Sequence, residues 1–314
     1  MRRRYATVDV FTDRLFGGNP LAVVLDGDGL STTQMQSIAA EFNYSETTFV
    51  LPPRDLANTA RVRIFTPRTE VPFAGHPNVG TAFVLARQRA AVGGDAQAVF
   101  VFEETAGLVP VLILREDGIA VGAELTAPEP LTRRSVVSVE VAAACLSLQP
   151  GDISDAVHAP IVISVGLPFL VVEVTSREAL RRAKPDISAH QATLPRDGAE
   201  SVFAYTREQL DAAGSSATVL HARMFAPLDG VLEDSATGSA TAATIALRAE
   251  LDAAISAERN WRVHQGEDMG RRSLLLGRTL KRDGQVVSVH VGGSCVAVME
   301  GSFTLQGVEP ASGA

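Results

Sequence analysis

The sequence has few cysteines, no excess of basic charge and no long uninterrupted apolar run. Each of these three absences excludes one class of protein. Its two cysteines, Cys145 and Cys295, are too few for a disulfide framework and have no metal-ligand spacing, so we expect a reducing, cytoplasmic setting. With 28 basic against 36 acidic side chains, the formal net charge of −8 provides no field that would attract nucleic acid or an anionic membrane. The longest apolar stretch, 161–174, is interrupted by Gly166 and Pro168 and is too short to span a bilayer. A small molecule is therefore the expected partner.

The sequence motifs of common cofactor sites are also missing. The chain has no Walker A motif, no G-x-S-x-G motif, and no G-x-G-x-x-G sequence between a predicted strand and a predicted helix. Gly292-Gly293-Ser294 is only superficially similar to a nucleotide-binding loop. We interpret it as a turn, followed by a strand in which Cys295 is a buried small hydrophobic residue. The six histidines have no spacing with carboxylates or cysteines that would build a metal site. We expect neither a cofactor nor a bound metal.

What the sequence does contain is one pattern that occurs twice. Arg63-Ile64-Phe65-Thr66-Pro67 precedes Phe73-Ala74-Gly75-His76-Pro77-Asn78-Val79-Gly80, and Arg223-Met224-Phe225-Ala226-Pro227 precedes Asp234-Ser235-Ala236-Thr237-Gly238-Ser239-Ala240. Each copy is typical of a strand, a loop and a helix that starts with small residues. Two copies in a chain of 314 residues, 46% of them hydrophobic, predict two similar domains with a core each. We expect both helix N-termini, with their free N–H groups, to face one shared cleft that suits a carboxylate.

The periodicity of the rest of the chain predicts an α+β protein of two mixed-sheet halves, each wrapped around a helix. Ser31 and Gln34 form a capping box that starts a helix over 32–43, and Pro77 in a first helical position starts another that runs to Arg87. Further helices are expected near 138–146, 177–182 and 239–252. Strands are expected at 5–11, 21–25, 61–65, three around 98–125, and near 160–174, 201–206, 261–264, 273–280, 286–291 and 296–305. Two prolines in 126–131 indicate the crossing between domains 1–128 and 129–314, with a last strand able to return to the first domain.

Two side chains of the first half are candidates for chemistry. Glu46 lies between a helix end and an apolar strand, where partial burial would raise its pKa toward the range useful for moving protons. His76 stands at the start of a helix between Gly75 and Pro77. Taken alone, such a glutamate is more often an ordinary strand-edge residue, and such a histidine more often a capping or packing residue. Position alone does not decide between these interpretations.

The second half offers a comparable set. Asp234 precedes Ser235-Ala236-Thr237-Gly238-Ser239, and its simplest role is that of a helix cap or a first-turn charge. The amides of Gly238 and Ser239 and the Ser239 hydroxyl would be able to hold a carboxylate without any cofactor.

Taken together, these motifs resemble those of the PhzF family of phenazine biosynthesis, which has the diaminopimelate epimerase fold. The resemblance spans nearly the whole chain and rests on several long motifs in the same order: Val8-Asp9-Val10-Phe11, Gly18-Asn19-Pro20-Leu21-Ala22-Val23, Ser45-Glu46-Thr47-Thr48-Phe49-Val50, Arg63-Ile64-Phe65-Thr66-Pro67, Pro72-Phe73-Ala74-Gly75-His76-Pro77, Arg223-Met224-Phe225, Glu233-Asp234-Ser235-Ala236-Thr237-Gly238-Ser239-Ala240, Gln265-Gly266 and Gly270-Arg271.

The resemblance implies a cofactor-free isomerase that acts in the cleft between two pseudo-symmetric domains. It implies that Glu46 moves a proton between ring carbons of trans-2,3-dihydro-3-hydroxyanthranilate. His76 and Asp234 would contact the amino and hydroxyl groups of this substrate, and its carboxylate would bind at Gly75 and at Gly238-Ser239. A homodimer is implied as well. The related racemases place a cysteine at each helix start, and this chain has none there, so a single base acting on one face is expected.

The substrate is less closely defined than the reaction. Residues 126–200 carry no motif that aligns with the family, whose members also serve other antibiotic pathways, including those that make alkylproline units. A hydrolase or lyase acting on a related unsaturated amino acid is a second enzymatic possibility. A non-catalytic protein that binds small carboxylates is an alternative of a different class, although the complete set of Glu46, His76 and Asp234 argues against it.

Overall fold

The described residues of the chain form two compact units. The computed structural model describes residues 2–94, 96–207 and 217–305. Unit 1 contains the described residues up to Leu125 together with those from Gly293 onward, and unit 2 runs from Thr126 to Gly292. The first boundary lies at the start of the proline-containing segment 126–131. The described segment from Gly293 onward lies in unit 1. Residues 306–314 of the expected second domain lie outside the described residues.

Six α-helices and seventeen strands occur among the described residues. The helices are α1 (Thr32–Phe42), α2 (Gly75–Ala91), α3 (Val139–Cys145), α4 (Arg177–Arg182), α5 (Ile187–Thr193) and α6 (Gly238–Glu250). The strands are β1 (Arg2–Val10), β2 (Asn19–Val24), β3 (Glu46–Leu51), β4 (Ala60–Phe65), β5 (Glu70–Val71), β6 (Val99–Glu104), β7 (Gly107–Glu116), β8 (Ile119–Thr126), β9 (Thr132–Val136), β10 (Ile161–Ser164), β11 (Pro168–Glu173), β12 (Val202–Arg207), β13 (Ala217–Ala226), β14 (Val231–Asp234), β15 (Ala257–Gln265), β16 (Ser273–Arg282) and β17 (Gln285–Thr304).

Unit 1 is a mixed sheet with α2 against it. Strands β2 and β3 are parallel and are joined through α1, and β4 is antiparallel to β3. The short β5 turns back on β4, α2 follows, and β6 then pairs with β4 in parallel. Strands β6, β7 and β8 form an antiparallel meander, and the last part of β17 pairs with β1. A smaller apolar core lies under α1, where Met35, Phe49 and Phe65 are fully buried.

Unit 2 repeats this strand order around α6. Strands β11 and β12 are parallel, and β13 is antiparallel to β12. Strand β14 turns back on β13, α6 follows, and β15 then pairs with β13 in parallel. The pattern found twice in the sequence is thus one structural unit: a strand, a returning short strand, a helix and a parallel strand.

Both central helices approach their sheets closely, because glycine is present where they meet. A Cβ on Gly80 of α2 would lie 2.6 Å from Cδ2 of Leu21 and 2.8 Å from Cγ2 of Val10. In unit 2 the glycine is on the sheet, since a Cβ on Gly277 of β16 would lie 2.5 Å from Cδ1 of Ile245 in α6. Any side chain at these positions would push the helix from the strands that hold its N-terminus in place.

Two sequence interpretations are wrong in detail. Gly292-Gly293-Ser294 is not a turn, because it lies inside β17, which replaces the two strands expected at 286–291 and 296–305. The backbone of this segment lies so close to β8 that glycine is required at Gly122, where a Cβ would come within 2.0 Å of the Gly293 carbonyl oxygen. Pro77 is the third residue of α2 and not its first, because the helix already begins at Gly75. Cys295 is buried, as expected.

Candidate active site

Glu46 is placed by the end of α1. Asn43 closes this helix in the left-handed region at a φ of 53°, and the chain then turns directly into β3, of which Glu46 is the first residue. The Glu46 side chain is only 20% exposed. Burial raises the pKa of its carboxyl group to about 7, although hydrogen bonding by Ser45 offsets part of the effect. Near neutral pH both the acid and the carboxylate are therefore populated, which is what a group that accepts and returns a proton requires.

His76 and Gly75 lie beside this carboxyl group at the start of α2. Nδ1 of His76 is 3.5 Å from Oε2 of Glu46, and the His76 side chain is 5% exposed. Gly75 and His76 are the first two residues of the helix, so the imidazole that contacts Glu46 belongs to its first turn. Unit 1 thus brings together three of the six residues that the sequence identified.

Unit 2 brings together the other three. Asp234 is the last residue of β14, and Gly238 and Ser239 are the first two residues of α6. The hydroxyl of Thr237 donates to Oδ2 of Asp234 at 2.6 Å. The buried side chain of Gln265, at the end of β15, holds the same loop: Nε2 donates to the Asp234 carbonyl at 2.9 Å, and Oε1 accepts from the Thr237 N–H at 3.0 Å. The sequence had assigned no role to Thr237 or Gln265.

The N-termini of α2 and α6 differ from those of the other four helices of the described residues. Ser31, Ser138, Ser176 and Asp186 each accept a hydrogen bond from the first turn of α1, α3, α4 and α5. The residues before α2 and α6 are Ala74 and Thr237, and neither side chain caps its helix. In neither helix does the side chain of the N-cap residue occupy the first-turn N–H groups, which is an arrangement typical of helix starts that bind anions.

An arginine–glutamate ion pair holds the loop before α2, and another holds the loop before α6. Arg63 makes a two-pronged ion pair with Glu70 at 2.7 and 2.6 Å, and its guanidinium lies 5.1 Å from the Phe65 ring centre. Arg223 pairs with Glu233 at 2.8 and 2.7 Å and lies over Phe225 at 4.9 Å. These pairs join β4 to β5 and β13 to β14, so they fix the strands from which the two site loops begin.

Glu104 is a further titratable group close to the start of α2 that sequence reasoning missed. Its carboxyl oxygens are buried, and burial raises its pKa to about 8, while hydrogen bonding by Asn78 of α2 opposes the rise. The neighbouring Glu103 behaves oppositely. Asn58 and the N–H groups of Asp55 and Arg54 bind its carboxylate and lower its pKa to about 2. No sequence signal distinguishes these adjacent glutamates.

Other kinds of site find no support within the described ranges. No three His, Cys, Asp or Glu side chains there come together in an arrangement that would hold a metal ion. Neither cysteine is near α2 or α6 in sequence, since Cys145 ends α3 and Cys295 lies in β17. Of the helices described, none combines the length and the apolar character needed to cross a membrane.

Comparison with known proteins gives consistent matches over nearly the whole chain. A family model described as phenazine biosynthesis-like protein, PhzC-PhzF, matches residues 8–301. The chain is 38% identical to an uncharacterized isomerase of Mesorhizobium japonicum, over 96% of this chain and 98% of the other. It is 35% identical to the trans-2,3-dihydro-3-hydroxyanthranilate isomerase of Pseudomonas chlororaphis, over 96% of this chain and 99% of that enzyme.

A solved structure shows the same agreement. The crystal structure of a Bacillus anthracis phenazine biosynthesis protein of the PhzF family has a TM-score of 0.83 at 25% identity, and the match covers 97% of this chain and 100% of that one. The expected α+β class and epimerase-like fold are confirmed, because solved proteins of both the PhzF and the epimerase kind match the chain along its length.

Proposed function

The chain belongs to the PhzC-PhzF family of phenazine biosynthesis-like proteins and is an isomerase, and we propose that it moves a proton between two ring carbons of a small unsaturated amino acid in secondary metabolism. The substrate that we propose is trans-2,3-dihydro-3-hydroxyanthranilate, because relatives such as the enzyme of Pseudomonas chlororaphis carry this activity in their names.

The observation that supports this proposal most directly is the environment of Glu46. A carboxyl group with a pKa of about 7 lies 3.5 Å from an imidazole nitrogen, at the start of a helix that no side chain caps. An ordinary strand-edge glutamate would be solvated and would keep its usual pKa. The environment of Glu46 instead suits a group that changes its protonation state during each turnover.

In the proposed reaction, Glu46 acts first as base and then as acid. Its carboxylate removes a proton from one ring carbon, and the electrons of the broken C–H bond enter the conjugated system of the ring. The same carboxyl group then delivers the proton to a second carbon on the same face, where a new C–H bond forms. The shift changes no oxidation state, so the step needs no electron acceptor.

The other residues bind and orient the substrate in this proposal. His76 and Asp234 contact its amino and hydroxyl groups. The N–H groups at Gly75 and at Gly238-Ser239, with the Ser239 hydroxyl, bind its carboxylate through uncapped helix N-termini.

Turnover in deuterated water tests both the substrate and the one-base mechanism. Purified enzyme is incubated with trans-2,3-dihydro-3-hydroxyanthranilate, and the product is analysed by chromatography and NMR. We expect isomerisation, with deuterium at the carbon that gains the proton and on the face from which the other proton left. Label on the opposite face would require a second base, and binding without any turnover would favour the non-catalytic carboxylate-binding alternative.

A further inference from the structure

The side chain of Gln265 connects the two ends of the loop that carries Asp234. It is fully buried and makes three hydrogen bonds, all to this loop. Oε1 accepts from the N–H of Thr237 at 3.0 Å, while Nε2 donates to the carbonyl oxygen of Asp234 at 2.9 Å and to Oγ1 of Thr237 at 3.1 Å. Thr237 in turn contacts Oδ2 of Asp234 at 2.6 Å. The four contacts form one connected network.

The direction of every bond in this network follows from the backbone. A backbone N–H can only donate and a backbone carbonyl can only accept. The amide atom that faces the Thr237 N–H must therefore be oxygen, and the atom that faces the Asp234 carbonyl must be nitrogen. The two requirements agree, so the orientation of the Gln265 amide is determined by two independent neighbours.

This orientation determines what Thr237 does. Nε2 of Gln265 donates to the Thr237 hydroxyl, whose single hydrogen is then directed to Oδ2 of Asp234. The separation of 2.6 Å is typical of a hydroxyl that donates to an ionised carboxylate. It also explains why a threonine in the N-cap position of α6 does not cap the helix, since its side chain is used by Asp234 and Gln265.

We infer that Gln265 is a positioning residue that acts through Thr237 to hold Asp234 in one orientation, with Oδ2 accepting the hydrogen of the Thr237 hydroxyl. The inference rests on the proposed function, in which Asp234 binds the polar groups of the substrate. It adds two residues to the proposed site, both of which act through Asp234.

The backbone around Gln265 is consistent with this role. Gly266 follows it in the left-handed region at a φ of 72°, and a Cβ there would lie 2.6 Å from the Ser235 carbonyl oxygen. The hydroxyl of Ser273 also donates to that carbonyl oxygen, at 2.8 Å. The loop after β14 is therefore in direct contact with the residue that follows β15 and with the start of β16.

Thr237→Val is the direct test, because valine keeps the shape of threonine and lacks the hydroxyl. Turnover of trans-2,3-dihydro-3-hydroxyanthranilate is expected to fall about 10- to 100-fold in kcat/KM, as for a lost hydrogen bond to a charged group. Thr237→Ser is expected to restore activity to within about threefold, since it restores the donor. Thr241→Val is the matched control. Thr241 is one turn further along α6 and is fully buried, and its hydroxyl has no hydrogen-bond partner among the described residues. The kcat/KM of the Thr241→Val enzyme should therefore equal that of the wild type.

Gln265→Glu is the second variant and keeps the inference testable if Thr237→Val does not fold. An ionised glutamate has no hydrogen to give to Thr237 or to the Asp234 carbonyl, so both hydrogen bonds that Nε2 donates to the loop are lost, and the glutamate competes with Asp234 for the threonine hydrogen. We expect the same loss of kcat/KM as for Thr237→Val. Wild-type kcat/KM in folded Thr237→Val, or in Gln265→Glu, would overturn the inference.

A double-mutant cycle separates this inference from the proposed function on which it rests. If Thr237 acts only through Asp234, adding Thr237→Val to an Asp234→Asn protein should cause no further loss of kcat/KM. The residual activity of Asp234→Asn alone is the reference for this comparison. A full additional loss in that background would overturn the inference while leaving the proposed function intact. Wild-type activity of Asp234→Asn itself would instead refute the proposed role of Asp234.

Discussion

Glu46→Gln should make the protein more stable and abolish its activity. Glutamine matches the size of glutamate but has no ionisable proton. In the folded protein, burial raises the pKa of Glu46 from 4.5 to about 7, so folding at higher pH must force an unfavourable ionisation. The substitution removes this cost together with the base.

The magnitude follows from the pKa difference. At about 1.4 kcal/mol per pKa unit, the shift corresponds to a destabilisation of about 3 kcal/mol once both states are ionised. The sign is that of a carboxyl group with a raised folded pKa. Between pH 4.5 and about 7 the folded protein binds more protons than the unfolded chain, so stability falls as the pH rises through this window. Above about pH 7 the full destabilisation by Glu46 is present, and below pH 4.5 this destabilisation vanishes.

Urea unfolding at pH 5 and at pH 8 measures this difference. We expect Glu46→Gln to exceed the wild type in free energy of unfolding by about 3 kcal/mol at pH 8 and by much less at pH 5. Turnover should fall by ~100-fold or more. Glu103→Gln is the matched control, because its carboxylate is stabilised by Asn58 and by two backbone N–H groups, and its pKa is lowered to about 2. That variant should be less stable than the wild type at pH 8. A Glu46→Gln protein that is no more stable at pH 8 than the wild type would refute the reasoning.

Further expectations concern the anion site, Glu104, metal content and assembly. Ser239→Ala should weaken substrate binding by about 0.5 to 3 kcal/mol without a change in melting temperature, and unchanged affinity in a titration would place the carboxylate elsewhere. Glu104→Gln should gain stability over the wild type as the pH rises from 4.5 to about 8, because its folded pKa is raised, and urea titrations that show a loss would contradict this. Activity should survive dialysis against a chelator, whereas loss that one ion restores would reveal a metal. Light scattering should give the mass of two chains, as the family resemblance implies, and the mass of one chain would exclude the homodimer.

Local signals in the sequence predicted the elements that frame the site. The capping box of Ser31 and Gln34 is present, with hydrogen bonds of 3.2 and 2.9 Å, because its partners are three residues apart and need no tertiary context. The repeated Arg-x-Phe strands predicted the two helix starts for a similar reason. Each copy carries its own loop and its own helix, so the pattern is complete within one short segment.

What the sequence did not predict depends on contacts between distant segments. Gly292-Gly293-Ser294 has the composition of a turn, but pairing with distant residues makes it part of a strand, since Gly292 pairs with Leu276 of β16. Gln265 gives no local sign that its amide lies against Thr237, since the two residues are brought together by the parallel pairing of β15 with β13. The opposite pKa shifts of Glu103 and Glu104 likewise come from the alternation of a strand, which turns one side chain toward Asn58 and the other toward α2.

Under the proposed function, the uncapped starts of α2 and α6 make the stability of these helix ends depend on the ligand. A missing side-chain cap costs a helix about 1 kcal/mol, and the bound carboxylate would supply the absent acceptor. Substrate binding and the stability of the helix ends would then be thermodynamically linked, so that a ligand that binds the folded helix start also stabilises it. Backbone amides around Gly75 and Gly238 should exchange their hydrogens readily in the free protein and slowly in the complex. Under the proposed function, substrate binding would therefore raise the local stability of both helix starts, and the free protein would lack part of the hydrogen bonding that stabilises them.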